Sequence, residues 1–230
     1  MVCPSIGSRV PKRMHNLVQW HTSLFTGRDL LVLATCYALG CCTAGYYWVR
    51  WRTGLDLRLI GSGNVGAKNV ARIAGPSGFT VTLLIDATKG ALAVRLAHYF
   101  AVPPEIAVAA MVAVIVGHNW PIQLRFHGGK GIATSVGALL VYDSMIVLVL
   151  VGLLIPLFAL IRNFTLSGLL AFALSPLILF LYGSPNEAIA AISFIAIIVL
   201  ISHRKNIREE ITRIFTPVKE SPNHPPDDQK

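Results

Sequence analysis

Residues 30–49 read LLVLATCYALGCCTAGYYWV and carry no charge, with Arg28 before the run and Arg50 after it. A helix needs about 20 apolar residues to cross the ~30 Å hydrocarbon core of a bilayer, so this stretch is long enough to span. Further apolar stretches follow at residues 106–124, 144–161, 165–182 and 187–201. The repeated apolar segments predict an all-α integral membrane protein.

The composition of the 230 residues supports this class. Charged residues make up 13% of the chain and hydrophobic residues 54%, whereas a soluble domain carries about 25% charged residues. The 20 Lys and Arg exceed the 11 Asp and Glu, which gives a formal net charge of +9. A nucleic-acid-binding protein needs a soluble basic unit that this sequence lacks, so we expect no nucleic-acid partner.

Loop charges favour seven helices. Two irregular segments also count as spans in this topology: residues 78–102, which carry charges, and residues 132–142, which are short. The stretches 50–77, 125–131, 162–164 and 202–230 then lie on one side and hold fourteen of the twenty Lys and Arg residues, while the loops opposite hold none. Since basic residues gather in cytoplasmic loops, we predict seven short transmembrane helices with polar loops facing the cytoplasm.

Three parts of the chain are predicted. Residues 30–206 form the membrane domain, and residues 207–230 form a polar cytoplasmic tail. Residues 1–29 form a basic N-terminal extension whose charges contradict the loop rule, and its apolar residues could line an interfacial helix. Those apolar residues are Leu17, Val18, Trp20, Leu24 and Phe25.

The first polar motif, residues 61–72, reads GSGNVGAKNVAR. Three glycines within six residues allow close backbone approach to an anion, and Arg72 offers a guanidinium fork for phosphate oxygens. Ser62, Asn64 and Asn69 add polar contacts. We therefore interpret the stretch as a phosphate-binding loop, with a flexible turn between helices as the alternative.

The same loop satisfies G-x-G-x-x-G, and Asp86 follows 20 residues after Gly66, as in dinucleotide-binding sites. That fingerprint requires a preceding strand inside a βαβ unit, and the surrounding apolar segments leave no room for one. Asp86 is better explained as the partner of Lys89, three residues further along a helix.

The second motif, residues 126–135, reads FHGGKGIATS and places Lys130 between glycines, which also suits a phosphate. It is not an ATP-binding Walker loop, because Leu124 and Gly131 stand where glycine and Ser or Thr are required. A helix-breaking turn with a snorkelling lysine is the alternative. His118 and Asn119, shortly before it, are expected to form helix-end hydrogen bonds.

The third motif, residues 202–206, reads SHRKN at the end of the last apolar segment. On a continuous helix His203 and Asn206 would share a face and could point into one pocket. Alternatively, basic residues here complement the helix dipole and an anionic leaflet. The four cysteines show no zinc-binding spacing, and no metal is expected.

Together the motifs resemble the bacterial acyl-phosphate-dependent glycerol-3-phosphate acyltransferases, the PlsY family, over about two-thirds of the chain. The resemblance implies seven short helices and acyl transfer from acyl phosphate to the 1-hydroxyl of glycerol 3-phosphate at the cytoplasmic face of the bacterial inner membrane, without a cofactor. It is carried by residues 61–66, Arg72, residues 86–90, Gly117, His118, Pro121, residues 128–131, Thr134, His203 and Asn206.

The resemblance also implies roles for individual residues. The catalytic set is Ser62, Arg72, Lys130, His203 and Asn206. The substrate-binding set is Gly61, Gly63, Asn64, Gly66, Asn69, Gly128, Gly129, Gly131 and Thr134. Either His203 or a substrate phosphate oxygen would take the proton of the hydroxyl.

The sequence departs from the family pattern at residues 41–43, at Lys68 and at Lys205. The two lysines replace uncharged or acidic residues and add positive charge near the predicted site. These changes would retune substrate affinity or mark a member that has lost the reaction. The alternative function is a non-catalytic membrane protein that binds or conducts anions or lipid headgroups. Acyl-chain preference and oligomeric state are not indicated.

Overall fold

The computed structural model describes residues 26–215, and within that range it is helical and contains no strand. The predicted all-α fold is confirmed. The helices are α1 (Gly27–Gly40), α2 (Ala44–Thr53), α3 (Ala67–Tyr99), α4 (Pro104–Asn119), α5 (Ile132–Tyr142), α6 (Ser144–Ile161), α7 (Phe164–Tyr182), α8 (Asn186–Ser202) and α9 (Arg204–Phe215), with short 3-10 helices at Leu57–Leu59 and Ile122–Leu124.

Within residues 26–215, four helical stretches are long and apolar enough to cross a membrane. They are Gly27–Thr53, Pro104–Leu124, Ser144–Ile161 and Phe164–Tyr182, and the bent pair of α8 and α9 makes a fifth if it counts as one span. α5 is apolar but has 11 residues, too few to span alone. The count of seven spans therefore stays a prediction.

The outer surface of the helices is apolar. In the α6 span only 11% of the residues are buried inside the protein, and Leu160 and Phe180 are 82% and 66% exposed. An apolar surface of this extent is unfavourable in water, but lipid chains solvate it without penalty. The protein is therefore a multi-pass membrane protein.

The apolar run at residues 30–49, expected to form one continuous segment, is interrupted after Gly40. α1 ends there and α2 begins at Ala44. The Nζ atom of Lys89 donates to the carbonyls of Gly40 at 3.1 Å and Cys42 at 2.9 Å. These carbonyls are therefore satisfied inside the protein without a continuing helix.

Glycines allow the closest helix contacts. A β-carbon on Gly117 of α4 would lie 2.2 Å from the Tyr37 carbonyl oxygen of α1. Similarly, a β-carbon on Gly137 of α5 would lie 1.9 Å from the Ala87 carbonyl oxygen of α3. Small residues at such crossings let backbones approach, as is typical of membrane helices.

Two helices bend near the polar end of the bundle. α3 breaks at Gly75, where φ is +64°, directly before Pro76. α8 and α9 meet at 63°, with His203 between them. The expectation that His203 and Asn206 lie on one continuous helix is thus wrong: α8 ends one residue before His203, and Asn206 is in the first turn of α9.

The predicted domain boundaries at positions 30 and 207 both fall inside helices and stay predictions. α1 begins three residues before position 30, and α9 runs past position 207 to Phe215. The candidate interfacial helix at residues 17–25 and the last part of the tail lie outside the described residues.

We expect Gly117→Ala to lower the unfolding temperature by several degrees, because the added methyl group forces α1 and α4 apart at a cost of about 1–3 kcal/mol. Gly152→Ala in α6 is the matched control, since a β-carbon there has no neighbour within 4 Å. The measurement is thermal unfolding in detergent micelles. Equal unfolding temperatures for the two variants would contradict the packing described.

Candidate active site

The three polar motifs meet at one end of the helix bundle. The Nη1 atom of Arg58, just before the glycine loop, donates to the Leu124 carbonyl at 3.1 Å. Lys130 donates to the side-chain oxygen of Asn206. These contacts join the segment before α3, the segment before α5 and the start of α9, which are far apart in sequence.

Asn69 shapes the glycine loop. Its side chain is buried, with Nδ2 donating to the carbonyls of Leu57 at 3.3 Å and Ile60 at 2.9 Å. Its Oδ1 accepts from the Ser62 amide at 3.2 Å and from Nη1 of Arg72 at 3.0 Å. Both polar atoms of the side-chain amide are thus hydrogen-bonded to the loop and its flanking residues. In the structure Asn69 holds the loop, and its predicted contact with a substrate stays a prediction.

The glycines of the loop are required by its geometry. Gly61 and Gly63 have φ values of +59° and +68°, a region that L side chains rarely adopt. A β-carbon on Gly61 would also lie 2.4 Å from Oδ1 of Asn69. Asn64 closes the turn by accepting from the Gly66 amide at 3.0 Å.

The loop leads directly into a helix N-terminus. Gly66 is the N-cap residue of α3 and forms no side-chain cap. Helix N-termini attract anions through their free amides and the helix dipole. Ser62 and Arg72 are exposed beside it. The arrangement provides amide, hydroxyl and guanidinium donors for a phosphate group.

The second glycine motif packs against the end of α4. The amides of Gly128 and Gly129 donate to the carbonyls of Asn119 at 3.1 Å and His118 at 2.9 Å. A β-carbon on Gly129 would lie 1.9 Å from Nε2 of His118. The helix-end role predicted for His118 and Asn119 is confirmed. Gly131, with φ at +80°, then starts α5.

Lys130 lies half-buried between these segments, in contact with Asn206. Burial lowers the pKa of its ammonium group, the charges of Lys68 and Lys205 lower it further, and Glu209 opposes them. The two lysines noted as departures from the family pattern are therefore close enough to act on Lys130. The cluster is electropositive and suits an anionic ligand.

His203 is buried and its orientation is defined. Its Nδ1 atom lies 2.8 Å from the Val199 carbonyl oxygen. A carbonyl can only accept, so Nδ1 carries the proton and a neutral ring has its lone pair on Nε2. His203 also lies within electrostatic range of Lys130.

Thr134 lies where α3 and α5 meet. Its side chain is 0% exposed, and its carbonyl oxygen would be 2.0 Å from a β-carbon on Gly90 of α3. The residue therefore belongs to the α3–α5 contact, and its predicted contact with a substrate stays a prediction.

The predicted pair of Asp86 and Lys89 is confirmed, and it belongs to a larger buried cluster. Nζ of Lys89 lies 2.9 Å from Oδ1 of Asp86 and 2.7 Å from Nδ1 of His118. Nδ1 of His118 lies 3.5 Å from the same carboxylate oxygen. All three residues are 3% exposed.

Two residues of this region were given no role from the sequence, although Ser202 is the first residue of the third motif. Ser202 accepts a hydrogen bond of 2.7 Å from Nδ2 of Asn119, and its position beside His203 is the only signal that pointed to it. Arg58 pairs with Asp56 at 2.6 Å and holds the pKa of that carboxyl at about 2. Its spacing of two residues from Asp56 is not a helical pairing pattern.

Concave surfaces elsewhere are separate from these motifs. A groove of about 690 Å³ lies between α1 and α3 and includes Leu39, Leu92 and Tyr99. A smaller one of about 280 Å³ includes Glu105 and Glu187. Within residues 26–215, no cluster of three or more His, Cys, Asp or Glu residues could hold a metal ion.

Comparison with known proteins gives a consistent match. The profile of the family described as glycerol-3-phosphate acyltransferase matches residues 30–213. The chain belongs to the glycerol-3-phosphate acyltransferase family. The matched range includes the two glycine-rich motifs and the residues His203 and Asn206 at the polar end of the bundle.

Relatives within the family match almost over their full length. Glycerol-3-phosphate acyltransferase 1 of Desulfitobacterium hafniense is 41% identical over 186 residues, which cover 80% of this chain and 92% of that protein. The acyltransferase of a Synechococcus species is 40% identical over 180 residues, covering 78% and 90%.

Solved structures of the family are similar as well. The crystal structure of the integral membrane acyltransferase PlsY in its glycerol 3-phosphate form superposes with a TM-score of 0.72 at 29% identity. The match covers 81% of this chain and 93% of that one. The lysophosphatidic acid form gives a TM-score of 0.70 at 28% identity.

Proposed function

We propose that this acyltransferase transfers a fatty acyl group from acyl phosphate to the 1-hydroxyl of glycerol 3-phosphate. The products are 1-acylglycerol 3-phosphate, or lysophosphatidate, and inorganic phosphate, in phospholipid synthesis. The contact of Lys130 with Asn206, at the same end of the bundle as the glycine loop that Asn69 holds, carries this proposal. The glycine loop is one group of anion donors and the Lys130–Asn206 contact belongs to a second, and the charge of Lys68, which follows the loop, acts on Lys130. A reaction between two phosphorylated substrates requires two such neighbouring groups.

Each group of donors suits one phosphate. The amides of Ser62, Gly63 and Gly66 are used within the loop segment. The glycine loop from Gly61 to Gly66 would therefore cradle a phosphate with its other amides, with the Ser62 hydroxyl and Arg72 as further donors. Lys130, Asn206 and His203 would orient the reacting groups. Gly128, Gly129 and Gly131 would serve the substrate by shaping the turn that presents Lys130.

The reaction needs no covalent enzyme intermediate, because phosphate is already a good leaving group. The glycerol 3-phosphate hydroxyl oxygen attacks the acyl carbonyl carbon and forms the ester bond. The bond from that carbon to the phosphate oxygen breaks, and inorganic phosphate leaves. Negative charge develops on the carbonyl and phosphate oxygens, where Lys130 and Arg72 would stabilise it.

Two groups could take the hydroxyl proton. Nε2 of His203 has its lone pair available when the ring is neutral, because Nδ1 is engaged by Val199. A phosphate oxygen of a substrate is the alternative base, since the glycine loop would hold such an oxygen close by. The geometry of His203 supports the first candidate, and the anion-binding loop supports the second.

The membrane setting supports the choice of substrates. Glycerol 3-phosphate dissolves in water, whereas the acyl chain of acyl phosphate partitions into lipid. A polar site at one end of an apolar bundle gives access to both. The basic residues gathered at that end support an orientation toward the cytoplasm, in the bacterial inner membrane.

The decisive assay supplies palmitoyl phosphate and labelled glycerol 3-phosphate to the purified protein. We expect lysophosphatidate and phosphate to form, and Arg72→Ala or Lys130→Ala to abolish nearly all turnover. Arg162→Ala is the matched control, because it removes a cation from the end of α6 without touching either glycine motif. Binding of glycerol 3-phosphate without any turnover would instead favour the non-catalytic anion-binding protein.

Replacement of the histidine distinguishes the two bases. If substrate phosphate takes the proton, His203→Gln should retain substantial turnover, because the glutamine amide places a polar group near the position of the histidine Nε2 atom. If His203 takes it, the same variant should lose about 10²–10⁴-fold in kcat. The kcat of each protein with saturating substrates decides between them.

Orientation can be measured by thiol labelling of intact cells, in a variant whose four native cysteines are replaced by alanine. Ser77→Cys, near the break of α3, should react only after the membrane is permeabilised. Ser184→Cys, in the loop between α7 and α8, should react from outside. The reverse pattern would overturn the proposed orientation.

A further inference from the structure

The buried cluster of Asp86, Lys89 and His118 has no part in the reaction as proposed. A cation at this depth in a membrane protein is costly unless it is fully paired. We propose that this cluster is a positioning device that fixes the end of α4 and thereby aims Lys130 at Asn206.

The first step is the placement of His118. An ammonium group donates and cannot accept, so Nδ1 of His118 accepts from Lys89 at 2.7 Å and the ring is neutral with its proton on Nε2. Lys89 itself is held by Asp86 and by the carbonyls of Gly40 and Cys42. The imidazole is therefore locked to α1 and α3 as well as to its own helix.

The second step leads from α4 to Lys130. The carbonyls of His118 and Asn119 accept from the amides of Gly129 and Gly128. The α-carbon of Gly129 lies directly against the imidazole, since a β-carbon there would be 1.9 Å from Nε2. A shift of the His118 ring therefore moves the backbone immediately before Lys130.

The third step leads from α4 to Asn206. Nδ2 of Asn119 donates to the hydroxyl of Ser202, which in turn donates to the Ile198 carbonyl at 2.8 Å. This contact holds the end of α8, from which the chain bends toward Asn206. The end of α4 therefore holds, through hydrogen bonds, both the segment before Lys130 and the segment before Asn206.

Two replacements of His118 separate the positioning role from bulk packing. Asparagine places an acceptor where Nδ1 lies, whereas glutamine places its amide toward the Nε2 position and leaves Lys89 without that acceptor. We expect His118→Asn to keep kcat within about twofold and His118→Gln to lower kcat about 10- to 100-fold, as for a misplaced catalytic group. The KM for glycerol 3-phosphate and the unfolding temperature are measured alongside.

A second readout does not require turnover, although the kinetic readout rests on the proposed function. In the variant Asn206→Asp, a water-soluble carbodiimide should join Lys130 to the new carboxylate, and mass spectrometry quantifies the linked peptides. Adding His118→Gln should lower that yield several-fold, and adding His118→Asn should restore it.

The α8 connection has its own matched pair of variants. Ser202 and Ser193 both lie on α8 and donate to the carbonyl four residues earlier, but only Ser202 also accepts from Asn119. Ser202→Ala should lower the crosslinking yield, and Ser193→Ala should not. Both are small changes that leave the helix intact.

The outcomes are distinguishable. Loss of kcat and of crosslinking in His118→Gln, with both kept in His118→Asn, supports the positioning role. Unchanged kcat and crosslinking in His118→Gln, or equal effects in the two His118 variants, would overturn it. If the wild-type protein shows no turnover but crosslinking in the Asn206→Asp background still depends on His118, the proposed function is overturned and the positioning role is supported.

Discussion

The packing of three helices depends on the contacts of one ammonium group, that of Lys89. It is buried at 3% exposure and bonds to groups on three helices: Asp86 on its own helix, His118 on α4 and the carbonyls at the end of α1. Removing a charge from water costs several kcal/mol unless partners replace the water. The surrounding helices must therefore present those partners, which constrains how α1, α3 and α4 can pack.

The candidate site is built from helix ends that this packing brings together. α3 and α5 start at the glycine motifs, while α4 and α8 end beside them. The unpaired amides of a helix start attract anions, and the side chains of Asn69 and Asn119 brace the connecting segments. Polar backbone is tolerated here because each segment is held by a buried amide side chain. The proposed substrate-binding groups and the groups that support them are consequently close neighbours in sequence.

Much of this could be predicted from local sequence. Apolar runs of sufficient length indicated the spans, glycine spacing indicated the two loops of the candidate site, and the separation of three residues indicated the pair of Asp86 and Lys89. The break after Gly40 could not be predicted, because the lysine that satisfies the Gly40 carbonyl lies 49 residues away in sequence. Likewise, the bend at His203 and the burial of Thr134 depend on which helices become neighbours. Spacing cannot distinguish a side chain that holds a loop, such as Asn69, from one that contacts a ligand.

The pairing of Lys89 with Asp86 also bears on the electric field across the membrane. A single charge that traverses the membrane potential gains or loses about 2.3 kcal/mol per 100 mV. Two opposite charges 2.9 Å apart form a short dipole without net charge. The membrane potential therefore changes the energy of the pair very little. The contact among α1, α3 and α4 is therefore expected to keep its geometry in energised and de-energised membranes alike.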